Sequence, residues 1–90
     1  MIETVKFRCG IPEKVTIYDD DIRLYIEDAK EDMIMSGVPP DIIEAKDSRV
    51  TTAVTLYVKA HIGNDRSDTE RYLGLYRQKV FRLTLEEGGS

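Results

Sequence analysis

Ile22, Tyr25, Ile26, Ala29 and Met33 recur at the i, i+3, i+4, i+7 spacing that stacks side chains on one face of an α-helix. This stripe predicts a helix from about Asp20 to Ser36. Asp19, Asp20 and Asp21 offer it N-cap oxygens and negative charge at the positive end of its dipole. A second periodic stretch begins at Asp47, a suitable N-cap, and runs to Ile62. Val50, Ala53, Val54, Tyr57, Val58, Ala60 and His61 cover more than half its circumference, leaving Thr51, Thr52, Thr55 and Lys59 as a polar strip. A helix so apolar around its girth belongs at the centre, packed on two sides. A third helix opens at Ser67-Asp68-Thr69-Glu70, a capping-box pattern in which Ser67 and Glu70 satisfy each other's amides. Tyr72, Tyr76, Val80 and Leu83 then mark a core face reaching about Leu85.

Gly10-Ile11-Pro12, Gly37-Val38-Pro39-Pro40, Gly63-Asn64 and Gly88-Gly89-Ser90 punctuate the chain. Gly just past a periodic segment, with Pro soon after, is a helix stop. The first segment, about Glu3 to Cys9, reads two ways. It is a short helix with Ile2, Val5 and Cys9 on one side, or a strand in which Val5, Phe7 and Cys9 alternate. Val15 to Tyr18 reads as extended chain, and Pro40 to Lys46 leaves room for a single turn. These elements predict an all-α fold, a small antiparallel bundle of three main helices plus a short N-terminal element. One helical domain is expected over 1–87, with 88–90 a disordered tail.

Composition agrees with a folded domain: of 90 residues, 41% are hydrophobic and 33% charged, too apolar for a disordered chain. The single cysteine, Cys9, permits no intramolecular disulfide, so a reducing cytosol is the natural setting. The opening residues lack the charged-then-apolar layout of a signal peptide, and no apolar run approaches the roughly 20 residues that span a bilayer. A cytoplasmic protein is expected. The net charge of −4, without a basic block, argues against a nucleic-acid clamp.

Catalytic signatures are missing from the sequence. The Asp19–Asp21 run lacks the alternating ligands, bend glycine and terminal Glu of a calcium loop, so capping is the better reading. Glu27, Asp28, Glu31 and Asp32 fall mainly off the core face, where carboxylates stay solvated and are not tuned for acid–base work. His61 is the only histidine, so neither a zinc set nor a His-dependent triad is available. It shares a face with Val54 and Tyr57, and a partly buried, hydrogen-bonded ring is expected. The glycines form no phosphate-binding loop. These patterns predict no enzyme, no cofactor and no metal.

What remains informative is surface. Leu24 and Met35 share an azimuth opposite the core face of their helix, as do Gly74, Phe81 and Leu85 on the last one. Aligned apolar residues on both outer helices point to a partner-facing patch, unless the first segment or the C-terminal tail covers them. Charge is split as well: Asp19–Ser36 holds seven acidic and two basic residues, net −5, whereas Arg66–Leu85 holds five basic and two acidic, net +3. Complementary faces favour head-to-tail contacts that close a ring, unless the two helices neutralise each other within one molecule. Interface candidates are therefore Leu24, Met35, Phe81 and Leu85, with Asp28 and Asp32 facing Arg71, Arg77 and Arg82.

Several stretches match a known family. They are Val5-Lys6-Phe7-Arg8-Cys9-Gly10-Ile11, Tyr18-Asp19-Asp20-Asp21-Ile22 and Tyr25-Ile26-Glu27-Asp28-Ala29-Lys30. With them go Ala53-Val54-Thr55-Leu56-Tyr57-Val58-Lys59-Ala60-His61-Ile62-Gly63 and Tyr72-Leu73-Gly74-Leu75-Tyr76-Arg77, followed by an apolar helix. Together they span almost the whole chain, which resembles the small head–tail connector (adaptor) proteins of long-tailed phages and prophages, often filed as DNA-packaging proteins. Val38–Lys46 departs from the pattern. The resemblance implies a helical, non-enzymatic virion protein, assembled in the host cytoplasm into a ring of about a dozen copies. Its implied partners are itself, the portal protein and the next head-completion or tail protein, with DNA passing through the channel unbound. Other readings are a small helical interaction module, such as a dimeric regulator or antitoxin-like partner, and a helix-turn-helix DNA binder. The latter is disfavoured because Asp68 and Glu70 occupy the turn that would read bases.

Overall fold

The computed structural model describes residues 1–45, 47–63 and 66–85, which form five helices and no strand. In chain order these are α1 (Ile2–Arg8), α2 (Asp19–Met35), α3 (Pro40–Glu44), α4 (Ser48–Ile62) and α5 (Arg66–Thr84). The fold is the expected all-α bundle of three long helices. The tail at 88–90 lies outside the described residues.

α4 is the centre. It packs against α1, α2 and α5 and seals Val50, Ala53, Val54 and Val58 from solvent. Contacts give the directions: Tyr25 of α2 meets His61, while Tyr57 and Lys59 of α4 meet Tyr76 and Tyr72 of α5. α4 therefore runs antiparallel to α5. The Tyr76 hydroxyl donates to the Ala29 carbonyl at 3.3 Å and to Asp32 Oδ2 at 2.7 Å, and farther along Thr84 faces Gly37. Contacts that advance together along both chains make α2 and α5 parallel.

The two Gly-X-Pro marks prove to be one device used twice. After α2, the Gly37 amide donates to the Ile34 carbonyl and that of Val38 to Met33, with Gly37 at φ +105°. After α1, Gly10 donates to Phe7 and Ile11 to Lys6, with Gly10 at φ +74°. Each is a Schellman stop, which needs a left-handed residue and so selects glycine. Met33 and Val38 are both buried, the apolar contact that accompanies such a stop.

The first segment is a helix: Val5 is buried, with Ile2 and Cys9 half-buried on the same side. Residues 15–18 are not extended. The chain makes two successive turns, closed by Val15 N–H to the Pro12 carbonyl and Asp19 N–H to Thr16. The Asp19–Asp21 run does not cap α2. Tyr18 occupies the N-cap without a side-chain bond, and the three aspartates lie in the first turn, where they still face the positive dipole end. Likewise α5 begins at Arg66, so Ser67 sits within its first turn instead of ahead of it. The single turn after Pro40 forms as α3, started by Pro in its first turn; Lys46 lies outside the described residues.

Asp47 does cap α4. Its Oδ1 accepts the Arg49 amide at 2.8 Å, and Oδ2 pairs with the Arg49 guanidinium at 2.8 Å. These bonds hold the carboxyl down at about 2, led by the Arg49 side chain. A folded-state value below the unfolded one means that the stabilisation is present above about pH 4 and is lost as pH falls through 2. Asp47→Ala should therefore lower the thermal midpoint at neutral pH, and its gap from wild type should close on acidification toward pH 2. A gap that stays constant across a melting series from pH 7 to 2 would contradict this role.

Candidate functional site

Three expected side-chain positions need correction. Thr55, assigned to the polar strip, is buried, because its hydroxyl donates to the Thr51 carbonyl at 2.7 Å and needs no water. His61 is exposed: its Nδ1 lies 2.8 Å from the Tyr57 carbonyl and its ring stacks flat on Tyr57 at 4.2 Å instead of entering the core. Tyr72 is only half-buried, its ring facing Lys59 and Arg71 cations at 5.7 and 5.0 Å. Tyr76, by contrast, is fully in the core, and burial followed by its bond to Asp32 pushes its phenol well above the usual tyrosine range.

The residue that periodicity misses altogether is Lys6, only 5% exposed. Its ammonium donates to the Glu13 carbonyl at 3.1 Å and the Val15 carbonyl at 2.7 Å, and pairs with Asp19 Oδ1 at 2.8 Å. A buried ammonium is tolerated only when its charge and donors are met, and here two carbonyls accept from it and a carboxylate balances its charge. Lys6 thus straps the double turn onto α1 and the start of α2. The strap borders a groove of about 460 Å³ lined by Ile2, Phe7, Ile11, Pro12 and Arg23 among others. Phe7, Ile17 and Tyr18 stand exposed at this end. A lysine four residues after Ile2 and one after Val5 lies on α1's inner side, which was the available signal.

The apolar interface candidates all face solvent: Leu24 is 58% exposed, Met35 88%, Phe81 64% and Leu85 67%. α1 does not cover them; residues 86–90 lie outside the described residues. Asp28, Arg77 and Arg82 are exposed. Asp32 also reaches solvent but gives one oxygen to Tyr76, and with Arg77 and Phe81 it edges a smaller groove of about 220 Å³ between α2 and α5. Arg71 is held on its own helix by Asp68 at 3.5 Å and the Tyr72 hydroxyl at 3.3 Å. Leu75 and Ile34 are further exposed apolar residues that the azimuth argument passed over.

The opposite charges of α2 and α5 are not spent on each other. Among the described residues no ion pair joins the two: Arg23–Asp20, Lys30–Glu27 and Arg71–Asp68 each lie within one helix, and Asp19 pairs with Lys6 of α1. α2 and α5 both pack on α4 and touch each other at Tyr76, while Leu24 and Met35 of α2, and Leu75 on α5 with Leu85 just past its end, are turned to solvent. Among the described residues, no three His, Cys, Asp or Glu side chains converge to hold a metal ion, and no helix is long and apolar enough to cross a membrane. Burial raises the Cys9 thiol, with Lys59 opposing, so it stays protonated and weakly nucleophilic near neutrality.

Fold and surface together define a small all-α protein with large exposed apolar side chains on α2, at and just past the end of α5, and at the α1 and double-turn end. The chain belongs to the phage connector protein family, whose model matches residues 1–90. The family is a structural one, which gives the chain a structural role in a phage, in contact with other capsid or tail proteins. No curated protein and no solved structure matches it.

Proposed function

We propose that the protein is a head–tail connector. Copies assemble into a ring that docks on the portal, extends the DNA channel toward the tail, and presents a platform to the next head-completion or tail protein. The observation that carries this reading is the pair of outward flanks. Each bears exposed apolar residues, Leu24 and Met35 on one and Leu75 and Leu85 on the other, and the two carry opposite charge. A body with unlike, complementary flanks adds copies head to tail, and a rotation that closes gives a ring. The acidic excess suits a channel through which DNA must slide, because repulsion of phosphates leaves no binding wells. No residue is assigned a catalytic role, and no cofactor is needed.

Native mass and electron microscopy of concentrated protein at low salt test this directly. Ring-shaped particles, alone or on added portal protein, are the expected outcome. A chain that stays monomeric at every concentration and ionic strength, and ignores the portal, would overturn it.

A further inference from the structure

Resting on that self-assembly reading, we infer that the joint between copies is a parallel pairing of the outer face of α2 with the outer face of α5 on the next copy, in one register. Spacing carries the argument. Leu24, Asp28, Glu31 and Met35 lie on one line along α2, at the i, i+4, i+7, i+11 positions opposite its buried Ile22, Ile26 and Met33. At 1.5 Å per residue the two apolar ends of this line are about 16 Å apart, with acids between them. The matching band on α5 turns away from Val80 and holds Arg71, Gln78, Arg82 and Leu85, with Leu75, exposed, along its edge beside the core face. Its apolar residues are about 15 Å apart, with Arg82 between.

Laid parallel, the lines match along their length. Leu24 meets Leu75, Met35 meets Leu85, Glu31 meets Arg82, Asp28 meets the neutral Gln78, and Arg71 reaches the level of Asp20 and Asp21. Laid antiparallel, Asp28 takes the place of Glu31 opposite Arg82 and Glu31 faces Gln78, but Arg71 runs past the end of α2 and meets no acid. The parallel pairing is also the one that symmetry supplies. α2 and α5 are parallel inside one molecule, and rotation about an axis along them leaves their directions unchanged. Neighbours in such a ring therefore present α2 and α5 to each other parallel. Glu31 and Arg82 are both exposed and, among the described residues, neither makes an ion pair within its own chain.

The test uses the full chain and follows its self-association by sedimentation. Glu31→Arg and Arg82→Glu should each weaken association about tenfold or more, because like charges then meet at every joint. The double variant E31R/R82E should restore it, and so should an equimolar mixture of the two single variants, in which unlike copies alternate. D28R/R82E, which repairs only the antiparallel register, should not. Unchanged helicity by circular dichroism, and above all rescue by mixing, separates lost pairing from lost folding. If the wild type associates and both single variants do so equally well, or if mixing rescues nothing, the pairing is wrong while self-assembly stands. If the wild type never associates, the self-assembly reading fails and the pairing with it.

Discussion

Val54→Asp should leave the chain without a cooperative fold. Val54 is fully buried at the middle of α4, the helix on which α1, α2 and α5 all pack. Losing the buried valine costs about 1.5–3 kcal/mol. An unpaired carboxylate in its place costs several kcal/mol more, or must take up a proton at similar expense. A domain of this size has about 5–13 kcal/mol to lose. Because α4 touches every long helix, the damage cannot be confined to one edge, and loss of helical circular dichroism at 25 °C is the readout. Val54→Thr is the informative control: nearly the same shape, with a hydroxyl that can donate to the carbonyl four residues back, as Thr55 does. It should stay folded and lose only about 1–2 kcal/mol in urea unfolding. If Asp is tolerated at this position, α4 is not the centre of the core.

Lys6→Met should lower stability by about 3 kcal/mol, although it keeps the aliphatic stem and looks conservative in hydrophobicity. Removing the ammonium strands the Glu13 and Val15 carbonyls and leaves Asp19, itself mostly shielded, without its cation. Each buried group left unpaired costs about 1–3 kcal/mol, more for a charge. Removing Asp19's charge as well should recover part of the loss, so that Lys6→Met with Asp19→Asn is less harmful than the separate losses added together. The double turn should also exchange its amide hydrogens faster in Lys6→Met, while those of α4 keep their ranking. A loss under about 0.5 kcal/mol, the size of an ordinary surface change, would show that the strap holds nothing.

The long helices were legible because their stripes are long and repeated, as with Ile22 to Met33 or Val50 to Val58. Their stops were legible because Gly10 and Gly37 occupy positions where only a residue without a Cβ is at ease. What periodicity misjudged are polar side chains that settle their own hydrogen bonds. Thr55 vanishes into the core by bonding its own helix, and Lys6 by finding three oxygens brought to it by a fold not yet formed in the sequence. His61 erred the other way, since stacking on Tyr57 is as good a resting place as the interior and lies outside it. In the first turn of α2, three aspartates in a row imitate a cap, but one of them is claimed by Lys6. For the surface, azimuth alone found Leu24, Met35, Phe81 and Leu85. Leu75 was harder to place because it lies nearer the edge of the core face, where a leucine is ordinarily half-covered.

Two of the three oxygens gripped by Lys6 belong to the main chain. Carbonyl groups are common to all amino acids, so the clasp is indifferent to which side chains stand at 13, 15 and 17. Substitutions there can redraw the tip that carries Ile17 and Tyr18 without shifting where it is held. A lineage meeting a new neighbour at that end could change what it shows while keeping the handle by which it shows it.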